Sequence, residues 1–239
     1  MKFNFNFILI IILLTGLSCQ SLSTIRKEQA MDVGQTGPIV VLGSSTAAGW
    51  GVSTPDSSWV KRYQKYLNKT SKLALINLAK GGYTTYQILP TGMSVPAGLD
   101  IRIDSSRNVT KALTYHPYAI IINMPSNDAA HNFPVSIQLT NFDTIIKNAA
   151  TQGVKTWICT PQPRNFSKRS QVNLQFELLD SIEHRYGDSV IDFWHGFAME
   201  NGFIRSEFDS GDGIHMNDLG HRLLVERVRA TRLESLATP

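Results

Sequence analysis

Short apolar runs alternate along the chain with longer stretches in which apolar positions recur every three or four residues. Residues 39–42, 73–78, 118–124, 154–160 and 190–193 are runs of strand length, bounded by turn residues. The 118–124 run is apolar almost throughout, as in a strand buried on both faces. Between them, Trp59, Tyr63 and Leu67 fall at helical spacing in a helix opened by residues 55–58 and running to about residue 68. Thr84 or Thr85 is expected to cap a short helix through Leu89. A further short helix is predicted over 109–115, ended by His116-Pro117. Phe133-Pro134 opens another, with Ile137, Phe142, Ile145 and Ile146 on its buried side. The spacing also predicts helices over 170–186 and 218–233, the last packing Leu219, Leu223, Leu224 and Val228 on the sheet. Strand alternating with helix implies a parallel sheet with right-handed crossovers and helices on both faces, an α/β fold. Residues 91–108 fit neither pattern and read as a loop at the mouth of a site, a candidate for touching substrate.

Composition changes this picture at one end only. The 239 residues suit one domain with a leader, and no repeat or second linker is visible. A formal net charge of +4, with scattered basic residues and small clusters such as Lys61-Arg62 and Lys168-Arg169, argues against a nucleic-acid partner. Lys2, the apolar run 7–14 and then Thr15-Gly16-Leu17-Ser18-Cys19 describe an export signal, too short for a membrane span. Cysteine directly after Leu17-Ser18 resembles a bacterial lipobox, with Cys19 as the lipidated first residue, although Gly16 stands where leucine is usual. The expected organisation is a signal peptide over 1–18, a polar tether over 19–37 and a catalytic domain over 38–239. The protein is then expected to be exported and held at a membrane of the cell envelope by its lipid anchor, the alternative being a periplasmic or secreted form. Cys159, inside an apolar run, reads as an inert buried thiol.

The candidate chemistry lies at the two ends of the domain. After the strand 39–42, Gly43-Ser44-Ser45-Thr46-Ala47-Ala48-Gly49 turns away from the sheet and lifts Ser45 to its carboxyl edge, where open α/β folds bind ligands. This stretch lacks the Lys-Ser/Thr ending of a phosphate loop and the glycine spacing of a dinucleotide turn. Asp212 and His215 lie three positions apart in a glycine-rich turn before a helix capped by Asn217 or Asp218. That spacing lets the carboxylate reach Nδ1 of the imidazole and leaves Nε2 to take a proton from a serine. His215 and His221 with Asp209 and Asp212 lack the histidine pairing and the cysteine of a metal site, so no metal is assigned.

Four blocks in order resemble the SGNH (GDSL-type) hydrolases. Gly43-Ser44-Ser45 looks like the Gly-Asp-Ser nucleophile block. Asn77-Leu78-Ala79-Lys80-Gly81-Gly82-Tyr83-Thr84-Thr85 resembles the second block, with Gly82 in the oxyanion position. Pro125-Ser126-Asn127-Asp128 is similar to Gly-x-Asn-Asp, with Asn127 as the oxyanion asparagine, and Asp212-Gly213-Ile214-His215 matches Asp-x-x-His. The resemblance implies a three-layer α/β/α fold with a five-stranded parallel sheet of flavodoxin-like type. It also implies a Ser45–His215–Asp212 triad, an oxyanion hole from Ser45, Gly82 and Asn127, and no cofactor. Ser44 replaces the usual aspartate, and Pro125 the usual glycine, which bears on the path of the Asn127 loop. The implied activity is ester hydrolysis through an acyl-enzyme, on small-molecule or glycan esters, with short O-acetyl groups on carbohydrate favoured. The alternatives are a lysophospholipase or thioesterase on longer acyl chains, or an inactive glycan-binding envelope lipoprotein.

Overall fold

A computed structural model describes residues 37–71 and 73–237; the predicted signal peptide, Cys19 and all of the tether but its last residue lie outside the described residues. Five strands, β1 (Ile39–Gly43), β2 (Leu75–Asn77), β3 (Ala119–Asn123), β4 (Lys155–Cys159) and β5 (Val190–Ile191), form one parallel sheet in the order β2-β1-β3-β4-β5. The chain starts inside the sheet, adds β2 on one side and then crosses back to lay β3 on the other. The order therefore reverses between β1 and β3, and the crevice beyond their carboxyl ends is where such folds bind ligands. Gly43 at the end of β1 pairs with Asn123 at the end of β3, so the segments leaving both strands start level.

Alternating strand residues feed two apolar layers. Ile39, Val41, Ile121 and Trp157 pack with Trp59, Tyr63 and Leu67 of α2 (Trp59–Thr70) and with Leu224 and Val228 of α7 (Asp218–Ala230). Val40, Leu42, Ile120, Ile122 and Ile158 pack instead with Ala112 of α3 (Val109–Leu113), Phe142 and Ile145 of α5 (Val135–Ala150), and Leu178 and Ile182 of α6 (Arg169–Tyr186). The result is a three-layer α/β/α domain. Two four-residue helices complete it, α1 (Ser45–Ala48) after β1 and α4 (Asn127–Ala130) after β3. No helix among the described residues is long and apolar enough to cross a membrane.

Three expectations are corrected. Leu223 lies on the outer face of α7 and is exposed, while Leu224 and Val228 are buried. The helix expected through Leu89 does not form: the segment is a turn in which Thr84 bonds locally to Gln87 and Thr85 is drawn to Asp128. The helix expected from residue 55 is a 3-10 turn, Pro55–Ser57, followed by α2, with the Ser58 side chain as cap accepting from the Lys61 amide at 3.3 Å. Residues 91–108 carry neither helix nor strand.

Candidate active site

Ser45 is the first residue of α1, directly beyond the end of β1. The Ser44 amide donates to the Asn123 carbonyl at 3.1 Å, which ties the turn to β3. Behind Ser45 the chain doubles back, and the Trp50 amide donates to the Ser45 carbonyl at 2.9 Å. Gly51 then presses on the C-terminal segment. A Cβ there would stand 2.3 Å from the Met216 carbonyl oxygen and 2.8 Å from the His215 Cβ, so only glycine permits the approach. Residues distant in sequence are thus packed together at this edge of the sheet.

His215 is buried within a tight loop, and its Nδ1 lies 2.6 Å from Asp212 Oδ2. Asp212 Oδ1 accepts from the amides of Ile214 and His215, both at 2.8 Å, and from the Ser210 hydroxyl at 3.1 Å. Burial would raise this carboxyl, but the His215 ring and the two amides outweigh it and bring its pKa down to about 2. The arrangement fixes Nδ1 as the ring atom facing the carboxylate and leaves Nε2 free of it. The Ser45 hydroxyl makes no hydrogen bond among the described residues. Catalytic hydrogen bonds are often long before substrate binds and tighten in the complex.

Gly82 sits at φ +85° in the turn after β2, a conformation that suits glycine. Neither its amide nor that of Ser45 has a protein acceptor among the described residues. Asn127 opens α4, and its side-chain amide donates to the Ser44 hydroxyl at 2.7 Å and to the Tyr83 carbonyl at 2.9 Å. Both Asn127 donors are therefore engaged, and Ser44 supplies an acceptor from the position where an aspartate was expected. Pro125 lies in the short connection between β3 and α4, and Asn127 beyond it reaches Ser44, the neighbour of Ser45.

Sequence reasoning missed the residues that support this site. Asp128 is buried and accepts from the Thr85 amide at 3.0 Å and hydroxyl at 2.7 Å, joining α4 to the Gly82 turn. Burial raises its carboxyl to about 6 despite those bonds. His221 accepts from the Trp59 amide at 3.1 Å through Nδ1, while Nε2 faces the Trp50 carbonyl at 3.1 Å. The ring is therefore neutral with its proton on Nε2, and burial lowers its pKa to about 4. Trp50, 55% exposed, lies across Gly81, its ring centroid 5.4 Å from that of His215. Arg164, from the loop after β4, brings Nη1 to 3.5 Å from Asn127 Oδ1. Only Asp128 belonged to a recognised block; the others arrive through tertiary contacts with no local motif. Among the described residues no group of three or more histidine, cysteine, aspartate or glutamate side chains is disposed to hold a metal ion.

Comparison with known proteins gives one sequence match and many structural ones. The model of the GDSL-like lipase/acylhydrolase family matches residues 41–223. No curated protein matches the chain by sequence. Among solved structures, the esterase EstA from Pseudoalteromonas sp. is 21% identical, with a TM-score of 0.60 over 84% of this chain and 100% of its own. A GDSL-like lipase from Bacteroides thetaiotaomicron is 15% identical, with a TM-score of 0.61 over 90% and 97%. An acetyl xylan esterase, AlAXEase, is 16% identical, with a TM-score of 0.60 over 81% and 98%. At these identities the likeness is one of fold.

Proposed function

The chain belongs to the GDSL-like lipase/acylhydrolase family, and from that premise we propose that it is an exported serine esterase working through Ser45, His215 and Asp212. The observation that carries this reading is the His215–Asp212 pair, 2.6 Å apart at Nδ1 and Oδ2, whose loop packs against Gly51 in the turn that follows Ser45. In the proposed reaction His215 Nε2 takes the Ser45 proton as Oγ bonds to the ester carbonyl carbon. The carbonyl oxygen becomes an oxyanion facing the Ser45 and Gly82 amides. Asn127 adds a third donor when the substrate oxygen displaces Ser44 as its acceptor. Collapse breaks the bond to the alcohol, which leaves with the proton from His215. Water, deprotonated by the same nitrogen, then releases the acid and restores Ser45.

The acyl group is proposed to be short, with an O-acetylated carbohydrate as substrate. The sequence shows no long apolar lid, and an exported enzyme meets glycans. The acetyl xylan esterase among the structural neighbours has a comparable fold. Anchoring through an acylated Cys19 is part of the proposal and is supported by the N-terminal sequence pattern.

Hydrolysis of p-nitrophenyl acetate tests the reaction. Ser45→Ala and His215→Ala are each expected to lower kcat by about a thousandfold or more. Wild-type activity that survives Ser45→Ala would remove the nucleophile. A rate that falls from acetate to octanoate to palmitate esters is expected for a short-acyl enzyme, and the reverse order would favour long acyl chains.

A further inference from the structure

Resting on that esterase reading, we infer that Arg164 recognises an anionic group of the substrate, a carboxylate or phosphate on the alcohol portion of the ester. Arg164 stands in the loop that leaves β4 at the same sheet edge as Ser45 and Asn127. Its backbone is held on both sides. Gln175 Nε2 donates to its carbonyl at 3.2 Å, and the next amide, of Asn165, donates to the Gly213 carbonyl in the Asp212–His215 loop at 2.8 Å. The guanidinium lies over the Phe166 ring, 4.8 Å from its centroid, and is half-buried.

What this side chain does not do is informative. Arginine presents five N–H donors in a fixed fork. Here the hydrogen bond to Asn127 Oδ1 at 3.5 Å, the limit of such a bond, is the one it makes among the described residues. No carboxylate among them lies within ion-pair distance of it. None of its nitrogens is both buried and unpaired, so the spare donors are open to solvent. Asp212 is near enough to be felt electrostatically, but its oxygens already serve His215, Ile214 and Ser210. A partly desolvated guanidinium with a free fork, beside the oxyanion asparagine and the acid of the pair, suits bidentate binding of an oxyanion group. Since the acyl group proposed above is small, the charge belongs on the alcohol side. The carboxylate of a uronate and the phosphate of a sugar phosphate offer the same oxygen edge.

The test compares kcat/KM on mono-O-acetyl glucose, O-acetyl glucuronate and O-acetyl glucose 6-phosphate, with p-nitrophenyl acetate as reference. Wild type is expected to prefer one or both charged esters over acetyl glucose by about tenfold or more. In Arg164→Gln this ratio should fall to within about threefold of unity, and Arg164→Lys, which keeps the charge but not the fork, should lie between. Which charged ester benefits separates carboxylate from phosphate. The inference is overturned if wild type shows no preference or turns over none of the sugar esters. It is equally overturned if Arg164→Gln slows every substrate alike, since the residue would then act by positioning Asn127. Thermal unfolding of both variants checks that they fold, and an unfolded Arg164→Gln leaves the decision to Arg164→Lys. Failure to hydrolyse p-nitrophenyl acetate would instead count against the esterase reading itself.

Discussion

The bond between His215 Nδ1 and Asp212 Oδ2 has a consequence that can be separated from the mere presence of a carboxylate. Asp212→Asn keeps an oxygen for the Ile214 and His215 amides but turns an N–H toward Nδ1, so the ring must place its own proton on Nε2, facing away from the pair. In the proposed mechanism a base in the wrong tautomer cannot accept the Ser45 proton, and kcat is expected to fall by about 10³–10⁴-fold with little loss of stability. Steady-state rates and a melting curve on the same preparation check this. Because Asp212 is held at about 2, it stays ionised through any practical assay range. The acid limb of a pH–rate profile should therefore show no step from this carboxylate above about pH 3. The pair was legible in the sequence because its geometry is local, three residues in one turn. Ser45 was legible because a strand, a glycine and a hydroxyl are adjacent. Arg164 and Trp50 were not, since each meets the site only after distant segments fold together.

Elements behave in the same way. The strands and long helices follow from periodicity, and their observed bounds differ from the sequence reading mostly by one to three residues, as fraying ends do. The turn after β2 is where local preference loses. The sequence offers Thr84 or Thr85 as a cap; the amide and hydroxyl of Thr85 go to Asp128 from α4, and Gln87 Oε1 takes the amide and hydroxyl of Thr84. Thr84 and Gln87 thus bond locally, while the tertiary acceptor Asp128 takes Thr85, and the segment stays a turn. The irregular 91–108 segment holds that turn from outside. Tyr83 donates its hydroxyl to Asp104, while Arg107 Nη1 reaches the Leu78 and Ala79 carbonyls at 3.4 and 3.3 Å. These contacts flank Gly82, so the segment is a brace as well as a candidate rim of the site. Tyr83→Phe removes one such bond, worth about 1 kcal/mol of stability. It is expected to lower kcat on p-nitrophenyl acetate several-fold more than KM changes, because a looser Gly82 amide costs the transition state first. An unchanged kcat in a folded Tyr83→Phe variant would show that the Gly82 turn holds its shape without the brace.

Across the whole molecule, the site is flanked by two buried ionisable groups that respond to acid in opposite ways. Asp128 has a folded pKa of about 6 against 3.8 for a free aspartate, chiefly because burial disfavours its charge. Its carboxyl binds a proton more tightly folded than unfolded, so its contribution to stability rises as pH falls from 6 to 4. His221 has a folded pKa of about 4 against 6.5, again through burial. There the unfolded chain takes the proton first, and stability is lost as pH falls from 6.5 to 4. Each full shift corresponds to about 3 kcal/mol, of which about 2 kcal/mol falls between pH 6 and 4. The two groups share no hydrogen bond, so their effects should add. Carboxyls held low, such as Asp212, give up their share only below the free-aspartate range and leave this window alone. The wild-type protein is therefore expected to show nearly level stability between pH 6 and 4, the level part being a cancellation. Asp128→Asn, neutral at every pH, should expose the histidine, with stability falling by about 2 kcal/mol over that span. His221→Gln should expose the aspartate and grow more stable by a similar amount, from a lower starting point because its bonds to Trp59 and Trp50 are weakened. Urea unfolding at pH 6.5, 5 and 4 reads the slopes directly. Equal slopes in the two variants would mean that burial does not hold these groups away from their ordinary values. Opposite slopes would mean that the hydrogen bonds joining α4 to the Gly82 turn, and α7 to the Ser45 turn, keep the site assembled in mild acid at the expense of two strained protonation equilibria.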